Sequence, residues 1–374
     1  MMRVAVIGGG IAGVAAAANL APYSKVTLLE AESSLAYHTT GRSAAIFLIN
    51  YGGEAARPLA AASLDFLENP PPAFVEAPLL ASRGVLWVAD EAHLADLDEV
   101  ADTGRDAGAG SVRVDADEAL ALVDRLDPRY VAGAIWEPVA SDIDVAGLHQ
   151  AFVRMARSEG AEILTDSRVV GVSTSHDVWT VRTEDRVFEC DAVVNAAGAW
   201  GDHLAALGGI EPVGLAPMRR TAFMVPGSEA FARWPLVVDA GEEFYFRPDG
   251  VQLLCSLAEE VPDDPGDPRP RIEDVALAIE RINNATTLDI RTVSSEWTGL
   301  RTFAPDRHLV IGEEPAAPGF FWLVGQGGMG IATAPAYGAL VASQVRGEPV
   351  PDHLTAAGVD PSITHPARFR KAVS

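Results

Sequence analysis

At 374 residues the chain is longer than one ordinary domain, and two domains are the natural expectation. A net charge of −24 argues against nucleic acid, whose phosphates need a basic surface, and disfavours anionic membranes. The two cysteines, Cys190 and Cys255, form no C-x-x-C, and the eight histidines show no metal-binding spacing. No metal site is expected.

Residues 4–7 read as a short buried strand, residues 11–20 as an Ala-rich helix, and residues 26–29 as a second buried strand ending at Glu30. Between the first strand and the helix, Gly8, Gly10 and Gly13 supply the spacing G-x-G-x-x-G. In that context the motif points to a dinucleotide. Gly8 makes the tight turn, Gly10 admits a pyrophosphate, and Gly13 lets helix and strand pack closely. The free N–H groups of the helix N-terminus suit the anion, and Glu30 is placed to accept from a ribose. A secretory signal is the competing reading of the same stretch, but three adjacent glycines would break its helix.

Residues 39–45 form a small, polar run able to wrap a cofactor with backbone donors and hydroxyls, with Arg42 offsetting phosphate charge. The blander reading is an ordinary loop. His38 beside it is a theoretical covalent flavin anchor, although hydrogen bonding is the simpler role. The prolines of residues 69–74 make a stiff connection. A strand over 84–89, helices over 92–100 and 116–126, and a strand over 132–137 follow, with Asp115 as a helix cap. This segment has no phosphate-type glycine loop and reads as part of a second domain.

Asp144 and its neighbours cap a helix over 145–159, and short strands follow to residue 189. Residues 191–200, D-A-V-V-N-A-A-G-A-W, form a buried strand running into a small-residue turn. Residues 214–254 return to β-rich sequence, and residues 262–271 read as an exposed loop with solvated charges. A helix over 272–284 precedes W-T-G-L-R-T-F at 297–303. Near the end, a strand over 320–324, a glycine loop over 325–330 and a helix toward residue 345 aim a second helix N-terminus at the same ligand. The architecture expected is α/β, with two interleaved domains.

Five motifs in this order, the N-terminal glycine motif, H-T-T-G-R-S-A-A, V-V-N-A-A-G-A-W, W-T-G-L-R-T-F and G-Q-G-G-M-G-I, resemble the FAD-dependent amine oxidoreductases of the D-amino acid oxidase superfamily. Within it the likeness is greatest to the bacterial D-arginine dehydrogenases, over nearly the whole length. The resemblance implies a Rossmann-type FAD-binding domain from residues 1–75, 142–212 and 302–374. It implies a mixed β-sheet substrate-binding domain from residues 76–141 and 213–301. It further implies non-covalent FAD and oxidation of the C–N bond of a small-molecule amino acid or amine. FAD contacts carried over are Gly8, Gly10, Ala12, Gly13, Glu30, Ala31, Thr39, Thr40, Gly41, Arg42, Ser43, Ala44 and Ala45. Further along they are Val169 (or Val170), Gly198, Gly327, Gly328, Met329, Gly330, Ile331 and Thr333.

Tyr51, Arg220, Tyr245 and Arg301 are the implied catalytic residues. A planar guanidinium suits bidentate capture of a substrate carboxylate, and the tyrosines add donors. Taken without the resemblance, each arginine is a surface ion pair and each tyrosine core packing. The chain departs from the D-arginine pattern at Ile46, where a histidine is expected, at Val85, where an acid is expected, and at Ala332, where a glutamine is expected. An unpaired guanidinium in an apolar pocket is costly. These three substitutions therefore point to a neutral, rather apolar D-amino acid, and leave room for an N-substituted or cyclic amine.

Three readings stand at this stage. The first is a dehydrogenase using an unidentified electron acceptor. The second is an oxidase or demethylase producing peroxide, and the third a non-catalytic nucleotide-binding protein. Only Lys25 and Lys371 are present as lysines, neither placed over a flavin, which leans toward the dehydrogenase. No run approaches the ~20 apolar residues of a membrane span, so the cytoplasm is the default location.

Overall fold

The structure, a computed structural model, describes residues 1–370. Lys371 lies outside the described residues. At the centre of a six-stranded sheet is Met2–Ile7, paired in parallel with Ser24–Leu29 on one side and Ala192–Asn195 on the other. Glu162–Leu164 and Phe320–Val324 extend the parallel order outward, and Val310–Glu313 closes one edge antiparallel. Residues 4–7 are buried on both faces, the pattern of a parallel strand covered by helices.

The helix Ile11–Leu20 is apolar almost all round because it is enclosed almost all round. It packs against Val145–Ser158 and Ala334–Val345, and Ala15, Ala16 and Ala17 are fully buried. Small side chains allow the close approach. At Gly338 an added Cβ would lie 3.0 Å from the Ala15 carbonyl oxygen.

A nine-stranded mixed sheet is built separately, from strands that alternate along the chain with those of the first. Ala216–Pro226 pairs antiparallel with Ser295–Phe303 and with Gln252–Ser256, and the sheet continues through Tyr245–Asp249, Leu236–Asp239, Val85–Ala89, Gly133–Glu137 and Val112–Val114. Its register aligns Ala222, Ser256, Tyr245, Val238 and Trp87 in one transverse row. The short strand Ile46–Phe47 pairs with Ser141–Ile143, which also pairs with Leu80–Ser82. Val169–Ser175, Val178–Thr183 and Val187–Cys190 form an antiparallel meander.

Three expectations need correction. The helix expected over 92–100 is Asp96–Asp106. Asp90 holds the preceding turn by accepting from the N–H groups of Ala92 and His93, which diverts that backbone from helix, while Asp96, Asp98 and Glu99 favour the new N-terminus. Asp115 does cap the next helix, with Glu118 completing a reciprocal capping box, but that helix stops at Leu122. The charges of residues 262–271 are not merely solvated. Asp263 pairs with Arg219, a side chain only 3% exposed, and Asp267 pairs with Arg42.

Candidate active site

The first glycine motif sets the near wall of a continuous cavity of about 660 Å³, within the usual size range of ligand pockets. Gly8 adopts φ +112°, and a Cβ there would lie 2.4 Å from the Ala196 carbonyl oxygen. Gly13 abuts the same turn, and its Cβ would fall 1.8 Å from the Gly8 carbonyl oxygen. Gly13 therefore acts by closing helix onto strand and does not itself line the cavity. Gly10 is the N-cap of the helix and brings no capping side chain, and no acid occupies the first turn, so an anion meets no negative charge there. Thr40 accepts from the Ile11 N–H at 3.0 Å.

At the end of the second strand, the Glu30 carboxylate accepts from Gly9 N–H at 2.6 Å and Glu32 N–H at 2.9 Å. Two of its roughly four lone-pair sites remain for a further donor such as a ribose hydroxyl. His149, buried in the adjacent helix, contacts the Gly9 carbonyl at 3.0 Å, and burial lowers its pKa. His38 also lines the cavity, with Nε2 3.0 Å from Glu32.

From Glu30 and Ala31 the wall continues through Val169, Gly8, Gly10, Ala12, Gly198 and the run Thr39, Thr40, Arg42, Ser43, Ala44 and Ala45. It then reaches Gly327, Gly328, Met329, Gly330 and Ile331. Gly198 has φ +54° with open space where a Cβ would stand. Such a backbone-lined, three-sided cradle fits FAD. Arg42, however, is not an uncommitted phosphate counter-ion. It donates to the Thr298 carbonyl at 2.9 Å, pairs with Asp267 and lies 5.6 Å over the Tyr37 ring.

Gly41 and Thr333 are corrected as cofactor contacts. Gly41 turns away to donate its N–H to the Ala36 carbonyl. Thr333 is fully buried, with its hydroxyl committed to the Met329 carbonyl at 2.7 Å. Cys190 and Cys255 are both buried away from the cavity lining.

Tyr51, Arg220, Tyr245 and Arg301, separated by as much as 250 positions, line one end of this cavity together with Ile46. A Cβ on Gly328 would come within 3.2 Å of the Arg301 guanidinium, so the glycine loop and this arginine are in close contact. Burial works against the Arg301 charge, but the Tyr51 and Tyr245 hydroxyls and Glu260 hold its pKa above the ordinary value. Arg220 goes the other way: burial and the neighbouring Arg301 charge push it down.

Val85 and Ala332 do not line the cavity. Val85 is fully covered in a cluster with Trp87, Leu236 and Val238, flanked by Ile46 and Leu48, and Ala332 is 3% exposed in the main core. The apolar wall is formed instead by Ile46, Leu48, Trp87, Ala222, Leu236 and Val238. Strand alternation signals Trp87 as a candidate two positions from Val85, but the sequence carries no sign that Val85 is covered. Trp87 is held by the buried Glu137, which accepts from its Nε1 at 3.0 Å, from Asn50 at 2.8 Å and from Ser111 at 2.5 Å.

With this geometry in place, comparison with known proteins is decisive. A family described as "DAO: FAD dependent oxidoreductase" matches residues 3–344. The chain belongs to this family. Its cofactor is FAD, and its parallel sheet is the Rossmann-type FAD-binding fold. The solved glycine oxidase from Geobacillus kaustophilus superposes with a TM-score of 0.86 at 22% identity, covering 100% of both chains. The L-proline dehydrogenase from P. horikoshii gives 0.84 at 22% identity, over 98% of this chain and 97% of that one. Mouse (Mus musculus) mitochondrial sarcosine dehydrogenase is 25% identical over 65% of this chain, which spans only 28% of that protein's length. Among the described residues, no helix is long and apolar enough to cross a membrane.

Proposed function

We propose that the chain is an FAD-dependent dehydrogenase that oxidises the C–N bond of a neutral, rather apolar amino acid, of D configuration, to an imino acid that water converts to the oxo acid. The observation that carries this reading is Arg301. It sits in the cavity against the glycine loop beside Tyr51 and Tyr245, with no carboxylate within 4.0 Å among the described residues. An arginine so placed is an open bidentate anchor for a substrate carboxylate. FAD, when bound, supplies the acceptor for the hydride from Cα. The chain's own part is to fix the carboxylate on Arg301, to bring the tyrosine hydroxyls against it, and to exclude water with Ile46, Leu48, Trp87, Leu236 and Val238. The apolar wall disfavours a guanidinium side chain, so D-arginine itself is a poor fit despite the motif likeness to its dehydrogenases.

Anaerobic mixing of the FAD-loaded protein with D-, L- and N-methyl amino acids, followed by flavin bleaching, tests the proposal. Neutral apolar amino acids should bleach it and D-arginine should not; bleaching by D-arginine alone overturns it. A second reading, oxidation or demethylation of an N-substituted or cyclic amino acid, draws on the sarcosine and proline dehydrogenase likenesses and on the apolar side chain at Ile46. Rapid bleaching by N-methyl or cyclic substrates, with peroxide formed in air, would favour it.

A further inference from the structure

The proposed carboxylate anchor is one of two guanidiniums at the same end of the cavity, and the two are not equivalent. Both remain cationic at any physiological pH. Arg220 donates its Nε–H to the Glu259 carbonyl at 2.9 Å, and its Nη2 lies 3.4 Å from Glu260 Oε1. The other oxygen of Glu260 lies 2.8 Å from Arg307, whose guanidinium stacks 3.9 Å over the Phe303 ring. Phe303 in turn fills the space beside Gly327 in the glycine loop. Glu260 is thus held from two sides. Among the described residues Arg301 has no carboxylate within 4.0 Å, although the Glu260 charge acts on it from farther off. Glu242, on an exposed turn that also lines the cavity, adds negative charge but no ion pair within 4 Å to either arginine.

Resting on the amino-acid reading above, we infer that Glu260 is a specificity-determining residue: by occupying Arg220 it leaves one open cationic anchor, Arg301, and sets the site for substrates with a single carboxylate. Two open guanidiniums would welcome a dicarboxylic amino acid. One open and one occupied reject its second carboxylate, which would have to displace Glu260 and meet its repulsion.

Titrating FAD-loaded wild type and Glu260→Gln with propionate and with succinate, read as perturbation of the flavin absorbance, measures this without turnover. Wild type should bind propionate at least as tightly as succinate. Glu260→Gln should gain succinate affinity by ~10-fold while propionate affinity moves by less than about threefold. Arg307→Gln supplies a separate check should the first variant fail to take up FAD. With its competitor gone, Glu260 holds Arg220 more firmly, and succinate affinity should fall relative to propionate. Propionate binding with no gain for succinate in Glu260→Gln, or no fall in Arg307→Gln, overturns the inference and leaves the amino-acid reading standing. If neither acid perturbs the wild-type flavin, that reading fails and the inference with it.

Discussion

Arg220 and Arg301 lie on neighbouring antiparallel strands, with Arg220 opposite Gly299 and Arg301 opposite Met218. That register makes them diagonal neighbours on one face, close enough for long side chains to converge. Among the described residues only Arg220 of the two has a carboxylate within 4 Å, that of Glu260.

Removing the open anchor should therefore cost more than its charge. Arg301→Ala should lower kcat/KM for carboxylated amines by ~100-fold or more, mostly through KM, from the loss of charge-assisted hydrogen bonds. Arg301→Lys should recover only a small part, since an ammonium cannot reproduce the bidentate fork. Steady-state kinetics with FAD content held equal checks both. Unchanged values would remove Arg301 from the site.

Val85 tests the apolar wall. Because it is fully buried behind the cavity lining, Val85→Asp should not create activity on basic amino acids. It should instead destabilise the fold by several kcal/mol, the cost of burying an unpaired carboxylate. Thermal unfolding and a D-arginine assay on the same preparation separate these outcomes.

Glu137 joins Trp87 of the wall to Asn50, the neighbour of Tyr51. In Glu137→Gln an amide donor confronts donors already in place, and one unmet buried group costs about 1–3 kcal/mol. The expected result is a lower melting temperature, a shift in tryptophan fluorescence and a KM increase of ~10-fold. A stability loss with unaltered KM would reduce Glu137 to a purely structural role.

The glycine motif predicts a graded series. Gly13→Ala puts a methyl group into the Gly8 carbonyl and should abolish FAD retention. At Gly10 the nearest atom is the Thr40 hydroxyl at 3.1 Å, so Gly10→Ala should fold and bind FAD more weakly. The ratio of flavin to protein absorbance after gel filtration reads the difference.

Acid stability should depend on Glu314, which is 1% exposed and bound by Arg370 and by the Trp322 Nε1 at 3.0 Å. Burial works to raise its pKa, but hydrogen bonds from Arg370 and Trp322 outweigh that and hold it below the ordinary glutamate range. A depressed carboxylate stabilises the fold fully above its unfolded pKa, and the stabilisation is lost as pH falls through the lower folded value. Arg370→Gln should cost about 3–5 kcal/mol near neutrality by stranding the carboxylate. The gap from wild type should narrow in acid, where Glu314 protonates; a gap independent of pH would refute this.

What the sequence determined by itself was local. The glycine spacing, the Ala-rich helix, Glu30 closing the second strand and the Asp115 cap all act over a few residues, and the structure places each as read. Tyr51, Arg220, Tyr245 and Arg301 were named through the family likeness; strand register brings Arg220, Tyr245 and Arg301 to one cavity, and Tyr51 reaches it from the segment after the short strand Ile46–Phe47. Tertiary structure alone decided which neighbours of a motif face the ligand. Alternation marks one face of residues 85–89 but cannot tell covered Val85 from cavity-lining Trp87, because what covers Val85 comes from distant strands. For the same reason Asp267, in a stretch that reads as a solvated loop, proves to be the partner of Arg42, and Glu260 the partner of Arg220. Charge pairing across 40 or more positions leaves no periodic trace in a chain. It exists only once the backbone has folded.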